Sequence, residues 1–152
     1  MNRIVIATDG SDSAREAVTF GLELAAEQQA NVVFVHVAPM TDVLPTGGFG
    51  ITAAIPHKLT DEDSRCLDEA VALASEYDVP SHTRLLRGDV VKEIVDQADL
   101  VGADLIVVGT RGHGALTGAL LGSVSRGLLK KANRPVLIVR GARVTAPAEA
   151  TA

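Results

Sequence analysis

The chain has few aromatic residues, with three Phe, one Tyr and no Trp among 152 residues. It therefore lacks the stacking surfaces of most nucleic-acid-binding proteins, and its formal net charge of −5 also argues against nucleic acid as a partner. With one cysteine, Cys66, it cannot form an internal disulfide, and we assign that residue to packing. It has no apolar run near the ~18 residues of a membrane-spanning helix and no signal-peptide layout at its start. We expect a cytoplasmic protein without a membrane segment.

What the chain does contain is an alternation of short apolar runs with segments of helical periodicity. Runs rich in Ile and Val are typical of strands buried on both faces of a sheet. The predicted strands are residues 3–8, 31–38, 81–87, 105–109 and 135–140, and the predicted helices are residues 11–29, 60–77, 89–101 and 123–132. A capping-box pattern, Ser13 with Glu16 three residues later, marks the start of the first helix. This order predicts one α/β domain with a parallel sheet and helices on both faces.

Two segments fall outside these units. Residues 39–58 contain three Pro and three Gly without a helical period, and we interpret them as a long irregular loop and a candidate lid. Residues 145–152 show no apolar periodicity and predict a disordered tail, which leaves residues 1–144 as the domain. Among the histidines, His36 is interpreted as a structural strand residue, whereas the spacing gives no partner to His57 or His82.

A glycine-rich loop follows the fourth predicted strand. Gly109 and Gly112 are separated by two residues, nine more residues precede Gly122, and Ser123 then begins the last helix. Glycines let the backbone approach phosphate oxygens, and the free N–H groups at a helix start attract anions. From residue 105 to residue 144 the chain also carries seven Lys or Arg and no acid, which suits an anionic ligand. The alternatives are a loop that only turns the chain and a basic face that is only solvated.

Asp9 follows the first predicted strand, so it lies at the same carboxyl edge of the sheet as Gly109. Open parallel sheets bind ligands at this edge, where the strand order reverses, and a carboxylate there can accept hydrogen bonds from both hydroxyls of a ribose. A plain turn or helix-cap role is the alternative, because Asp is common at such positions. If the first and fourth strands are neighbours, Asp9 and the glycine loop form one nucleotide site.

Residues 4–11 (IVIATDGS), the glycine loop with its spacing, and residues 130–139 (KKANRPVLIV) together resemble the universal stress protein family. The similarity covers residues 2–141, and the loop spacing resembles that of the ATP-binding branch. It implies a Rossmann-like fold with five parallel strands in the order 3-2-1-4-5. It also implies ATP, or a related adenine nucleotide. We expect Mg²⁺ to accompany it, because the ion neutralises phosphate charge, although the sequence does not identify its protein ligands. From the resemblance and the loop pattern together, the ATP-binding residues are Ala7, Thr8, Asp9, Val37, Val108, Gly109, Arg111, Gly112, Gly122, Ser123, Val124 and Ser125. Arg111 is included from its position in the loop, where a solvent-exposed side chain is the alternative.

The resemblance implies a nucleotide-dependent regulator of the cellular stress response rather than an enzyme. The sequence has no Gly-x-x-x-x-Gly-Lys-Ser/Thr loop, no metal-ligand spacing and no nucleophile–base pair, so we assign no catalytic residue, while slow ATP hydrolysis stays compatible with the pattern. One alternative is an adenylating enzyme of the ATP pyrophosphatase type, because residues 8–13 partly resemble its Ser-Gly-Gly-x-Asp-Ser loop. Asp9 stands where that loop needs glycine, however, and its charge would repel the phosphates. The other alternative is a non-nucleotide scaffold of the same fold, which the retained glycines disfavour.

The last predicted strand is apolar and ends the sheet. Its run of Val136, Leu137, Ile138 and Val139 would lie at an uncovered edge, which favours pairing with another chain. The family resemblance implies a homodimer in which this strand pairs with its symmetry mate. The sequence identifies no other protein partner.

Overall fold

Strands and helices alternate along residues 1–110 and 121–140, the part of the chain that the computed structural model describes. In chain order, the elements there are β1 (Arg3–Ala7), α1 (Asp12–Gln28), β2 (Asn31–Ala38), β3 (Thr41–Pro45), β4 (Thr52–Pro56), α2 (Asp61–Glu76), β5 (Ser81–Arg87), α3 (Val90–Val101), β6 (Leu105–Gly109), α4 (Ser123–Lys131) and β7 (Val136–Val139). Every predicted strand and helix is present, and each boundary differs from its prediction by at most one residue.

Five of the strands form one parallel sheet in the order β5-β2-β1-β6-β7. Counting these strands alone along the chain, the order is 3-2-1-4-5, so the predicted fold class is confirmed. From β1, the chain builds the sheet first toward β2 and β5 and then, on the other side, toward β6 and β7. The strand order therefore reverses between β1 and β6, which pair directly through Ile6 and Val107.

Both faces of this sheet are buried along β1, β2 and β6, as their unbroken apolar runs predicted, whereas the edge strand β5 is largely exposed. On one face, Ile4 and Ile6 of β1 lie in a cluster with buried residues of α1 and α2. On the other face, Val5 of β1 lies in a cluster with Ile94 of α3 and Leu128 of α4. Alternate residues of β1, β2 and β6 thus enter different cores. Within the described residues, no helix combines the length and the apolarity needed to cross a membrane.

The first helix begins at Ser11 rather than at the predicted capping box. Ser11 has an extended backbone, and its hydroxyl accepts a hydrogen bond from the N–H of Ala14 at 3.2 Å. Gly10, with φ +78°, turns the chain just before the cap. Ser13 consequently lies inside the first helical turn, and the prediction that Ser13 and Glu16 form the capping box was wrong.

The segment 39–58 is a two-stranded hairpin, which corrects the prediction of an irregular loop. β3 and β4 are antiparallel, with Leu44 opposite Ala53. The prolines and glycines that suggested a loop lie where a hairpin accepts them: Pro45 and Pro56 end the strands, and the glycines lie between them. Apart from their pairing with each other, β3 and β4 do not pack extensively against any other described element. Whether this hairpin acts as a lid stays a prediction, as does the tail at 145–152, which lies outside the described residues.

The buried core predicts how two phenylalanines differ. Phe34 of β2 has no exposed surface, whereas Phe20 of α1 is 46% exposed. We expect Phe34→Ala to lower the free energy of unfolding by about 3–5 kcal/mol, because it leaves a cavity between the sheet and its helices. Phe20→Ala, the matched control, should cost less than about 1 kcal/mol. Urea denaturation measures both, and equal losses would contradict the described core.

Candidate functional site

The predicted site residues Asp9 and Gly109 follow neighbouring strands at the point where the strand order reverses. Asp9 comes two residues after the end of β1, and Gly109 is the last residue of β6. One carboxylate oxygen of Asp9 accepts a hydrogen bond from the N–H of Ser11 at 2.9 Å. Asp9 therefore has the local turn role that the sequence analysis gave as the alternative to ribose binding. It also lies at the sheet edge where open parallel sheets bind ligands.

Gly109 makes an exceptionally close backbone contact. A Cβ atom at this position would lie 2.5 Å from the carbonyl oxygen of Ser13 in α1. The hydroxyl of Ser13 also lies 3.3 Å from that of Thr110, the next residue after Gly109. The first turn of α1 is thus packed directly on the carboxyl end of β6, and only glycine fits at position 109.

The start of α4 is fixed to the same strand end. The N–H of Gly122 donates to the carbonyl oxygen of Thr110 at 2.7 Å. The buried hydroxyl of Ser125 donates to the carbonyl oxygen of Gly109 at 2.8 Å, and Ser123 lies exposed at the first helical position. Two helix N-termini, those of α1 and α4, therefore meet at the β1/β6 edge, and helix N-termini favour anions.

Four further predicted residues share one apolar cluster. Val37 of β2 and Val108 of β6 are buried in the core between the sheet, α3 and α4, and Ala7 and Val124 pack against it. Thr8 is also buried, and its N–H donates to the carbonyl oxygen of Val35 at 2.9 Å. These contacts give the residues a packing role, and the residues lie at the strand ends and helix start where an apolar wall of a ligand pocket would be needed.

Two predicted residues, Arg111 and Gly112, lie outside the described residues. The structure thus brings together ten of the twelve predicted residues around the ends of β1, β2 and β6 and the start of α4. Nothing in it tests their contact with a nucleotide. Within residues 1–110 and 121–140, no three His, Cys, Asp or Glu side chains are placed to hold a metal ion.

A charged cluster at the same edge was missed by the sequence analysis. His57, expected to have no partner, lies between two carboxylates: its Nδ1 is 2.7 Å from Asp42 of β3 and its Nε2 is 3.1 Å from Asp63 of α2. His36 of β2 has Nδ1 2.9 Å from the carbonyl oxygen of Thr8 and Nε2 3.6 Å from Asp63. The prediction for His57 was wrong, because its partners come from elements that only the fold brings together.

The contacts in this cluster change the proton affinities of its members. Burial opposes the ionisation of Asp63, but hydrogen bonds from the Thr60 N–H, from His57 and from the Thr60 hydroxyl outweigh it and lower the pKa of Asp63 to about 2. The hydrogen bond with Asp42, followed by that with Asp63, raises the pKa of His57. Burial, with the charge of Asp9 nearby, raises the pKa of the Cys66 thiol to about 11, so the thiol stays protonated. This agrees with its assignment to packing.

The sequence profile of the universal stress protein family matches residues 1–140. This chain belongs to that family. A universal stress protein of Methanocaldococcus jannaschii is 37% identical over 138 residues, which cover 91% of this chain and 81% of the relative.

Two solved structures of the family are also similar. A universal stress protein crystallised with cAMP has a TM-score of 0.69 and 28% identity, covering 93% of this chain and 98% of its own. One from Archaeoglobus fulgidus in complex with dAMP has a TM-score of 0.66 and 30% identity, covering 91% and 97%. The family resemblance seen in the sequence is confirmed.

The close contact at Gly109 makes a testable prediction for this universal stress protein. We expect Gly109→Ala to lower the free energy of unfolding by about 1–3 kcal/mol, because the new methyl group collides with the backbone of Ser13. Gly48→Ala is the control, since a Cβ atom there meets nothing within 4 Å, and it should change stability by less than about 0.5 kcal/mol. Guanidinium unfolding curves that coincide for the two variants would refute the contact.

Proposed function

We propose that this universal stress protein binds ATP, or a closely related adenine nucleotide, at the β1/β6 edge and acts as a nucleotide-dependent regulator. The observation that carries the proposal is the meeting of two helix N-termini, α1 and α4, beside Asp9. Backbone N–H groups and the helix dipoles would hold the phosphates. The Asp9 carboxylate would accept the ribose hydroxyls, and the apolar wall at Val37 and Val108 would contact the base.

The comparisons support an adenine nucleotide as the ligand class. The two solved relatives were crystallised with cAMP and dAMP, which share the adenine base and one phosphate. The glycine spacing before α4, which resembles that of the ATP-binding branch of the family, favours the triphosphate for this chain. Since the described residues provide no metal-binding group, an accompanying Mg²⁺ would be held mainly by the phosphates and water.

An adenylating enzyme is the second candidate, and a specific observation disfavours it. The β1–α1 turn would have to hold pyrophosphate, but it contains the Asp9 carboxylate, whose charge opposes the phosphates. A binding and regulatory role also fits a site made largely of backbone groups. If the native protein released pyrophosphate from ATP and a Gly109→Ala preparation did not, the proposal that this protein is not an enzyme would be wrong.

The phosphate assignment predicts the effect of a change at the start of α4. We expect Gly122→Ala to weaken ATP binding about tenfold, or about 1.4 kcal/mol, because a methyl group is added where backbone must approach phosphate. Gly48→Ala, in the hairpin, is the control and should bind ATP like the native protein. Isothermal titration calorimetry measures both dissociation constants. If the native protein showed no detectable ATP binding, the proposal would be wrong. If Gly122→Ala bound ATP with native affinity, the phosphates would have to bind at another place than the start of α4.

We also propose a homodimer formed through β7. The N–H groups of Ile106 and Thr110 donate to the carbonyl oxygens of Pro135 and Val139, so alternate residues of β7 bond to β6. In a parallel ladder, the backbone groups of the residues between them, including Ile138, point to the open edge. That edge is available for a second copy of the strand.

This geometry selects the variant that tests the dimer. We expect Ile138→Pro to yield monomers, because it removes an outward N–H group while leaving the bonds to β6 in place. Ile138→Val keeps that N–H group and should remain dimeric. Sedimentation equilibrium gives the masses, and circular dichroism confirms that each variant is folded. A folded Pro variant that still dimerises would place the interface on another surface.

A further inference from the structure

The position of His57 requires a doubly protonated ring. Each ring nitrogen faces a carboxylate oxygen, at 2.7 Å from Asp42 and 3.1 Å from Asp63. An ionised carboxylate only accepts hydrogen bonds, and a neutral imidazole has a single N–H donor. Only the imidazolium can therefore bond to both carboxylates at once. The ring is also largely shielded, since 14% of the His57 side chain is exposed.

These two carboxylates belong to different parts of the molecule. Asp63 lies in the first turn of α2, where the N–H and hydroxyl of Thr60 also donate to it. Asp42 lies in the hairpin, and its side chain is 42% exposed. Because the hairpin packs extensively against no other described element, the bridge through His57 is a major contact that holds it to the domain. After loss of the proton the ring keeps one N–H donor and can bond to only one carboxylate. We expect the Asp42 side to open, because Asp42 is the more exposed carboxylate and water can replace the ring there.

The bridge also reaches the proposed nucleotide site. Asp63 lies 3.6 Å from Nε2 of His36, whose Nδ1 is 2.9 Å from the carbonyl oxygen of Thr8. Thr8 immediately precedes Asp9, and its hydroxyl accepts a hydrogen bond from the N–H of Gly10 at 3.3 Å. A continuous set of polar contacts thus joins the hairpin to the β1–α1 turn.

We propose that the hairpin is held to the domain by a proton-dependent latch, in which protonated His57 joins Asp42 to Asp63, and that opening this latch weakens nucleotide binding. Two physical effects set the direction. Opening detaches the hairpin from the set of polar contacts that leads to the turn containing Asp9, and the lost proton leaves one more net negative charge at an edge that would bind phosphates. The link to the nucleotide rests on the proposed function, whereas the latch itself does not.

The pH range follows from the two carboxylate contacts. Hydrogen bonding to Asp42, and then to Asp63, raises the pKa of His57 above the ordinary value of about 6.5. The closed latch is therefore fully present below that ordinary value and is lost as the pH rises through the raised one. Asp63, with a pKa of about 2, stays ionised throughout this range. The surrounding elements carry further charged or titratable groups, among them His36, Lys58, Asp61, Glu62 and Arg87. Arg87 donates to the His57 carbonyl oxygen at 2.6 Å.

Hydrogen exchange of the hairpin, measured without nucleotide, tests the latch. Protection of the β3 and β4 amides against exchange is measured from about pH 5.5 to about pH 8.5. Each value is divided by the protection in His57→Gln at the same pH, because this ratio cancels the intrinsic pH dependence of exchange. We expect the native hairpin to lose about three- to tenfold of its relative protection as the pH rises. Asp42→Asn should move the pH midpoint of this loss of protection to lower pH, because it removes the main contact that favours the imidazolium. His82→Gln, on exposed β5, is the histidine control and should behave like the native protein.

ATP binding measured over the same pH range tests the link to the site. Taking the ratio of native to His57→Gln affinity cancels the titration of ATP itself, and we expect this ratio to fall about three- to tenfold as the pH rises. The latch would be overturned if protection of the native hairpin amides depended on pH no more than it does in His57→Gln. It would also be overturned if Asp42→Asn left the pH midpoint of that protection unchanged. A pH-independent affinity ratio would overturn its link to the nucleotide. Absence of ATP binding at every pH would instead refute the proposed function, and the exchange data would still decide the latch.

Discussion

The site geometry depends on the absence of a side chain at Gly109. Its backbone touches the backbone of Ser13, which brings the first turn of α1 onto the carboxyl end of β6. The hydroxyl of Ser125 then holds α4 to the same residue. Two helix N-termini can meet at one strand end only because both can approach it this closely. A single glycine therefore determines both the packing of the sheet on α1 and the electrostatic character of the edge.

In the proposed function, this edge would hold an anion mainly through backbone groups. Backbone N–H groups and helix dipoles are fixed by the fold, so they stabilise a bound phosphate without moving protons. The titratable groups near this edge are engaged elsewhere: Asp63 by Thr60 and His57, and His36 by Thr8. The Cys66 thiol stays protonated. The same contacts that stabilise the fold thus occupy the side chains of Asp63 and His36.

The sequence predicted the parts of this molecule that depend on local pattern. The runs 31–38 and 105–109 are buried on both faces, so their apolar character predicted their bounds. The hairpin was missed because its exposed strands have no buried face to impose an alternation. The partners of His57 were missed because Asp42 and Asp63 lie on different elements. Contacts of this kind depend on tertiary folding and leave no periodic signal.

The charge balance of the β1/β6 edge connects the proposed nucleotide site with the cluster around His57. Asp9 and Asp63 place carboxylates close to a region that two helix N-termini make favourable for anions, and uncompensated carboxylates would cancel part of that field. The Thr60 contacts and the imidazolium of His57 offset the charge of Asp63. The hairpin therefore takes part in this charge balance, because Asp42 helps to keep His57 charged. Structure and electrostatics at this edge are coupled through one proton, and neither can change without the other.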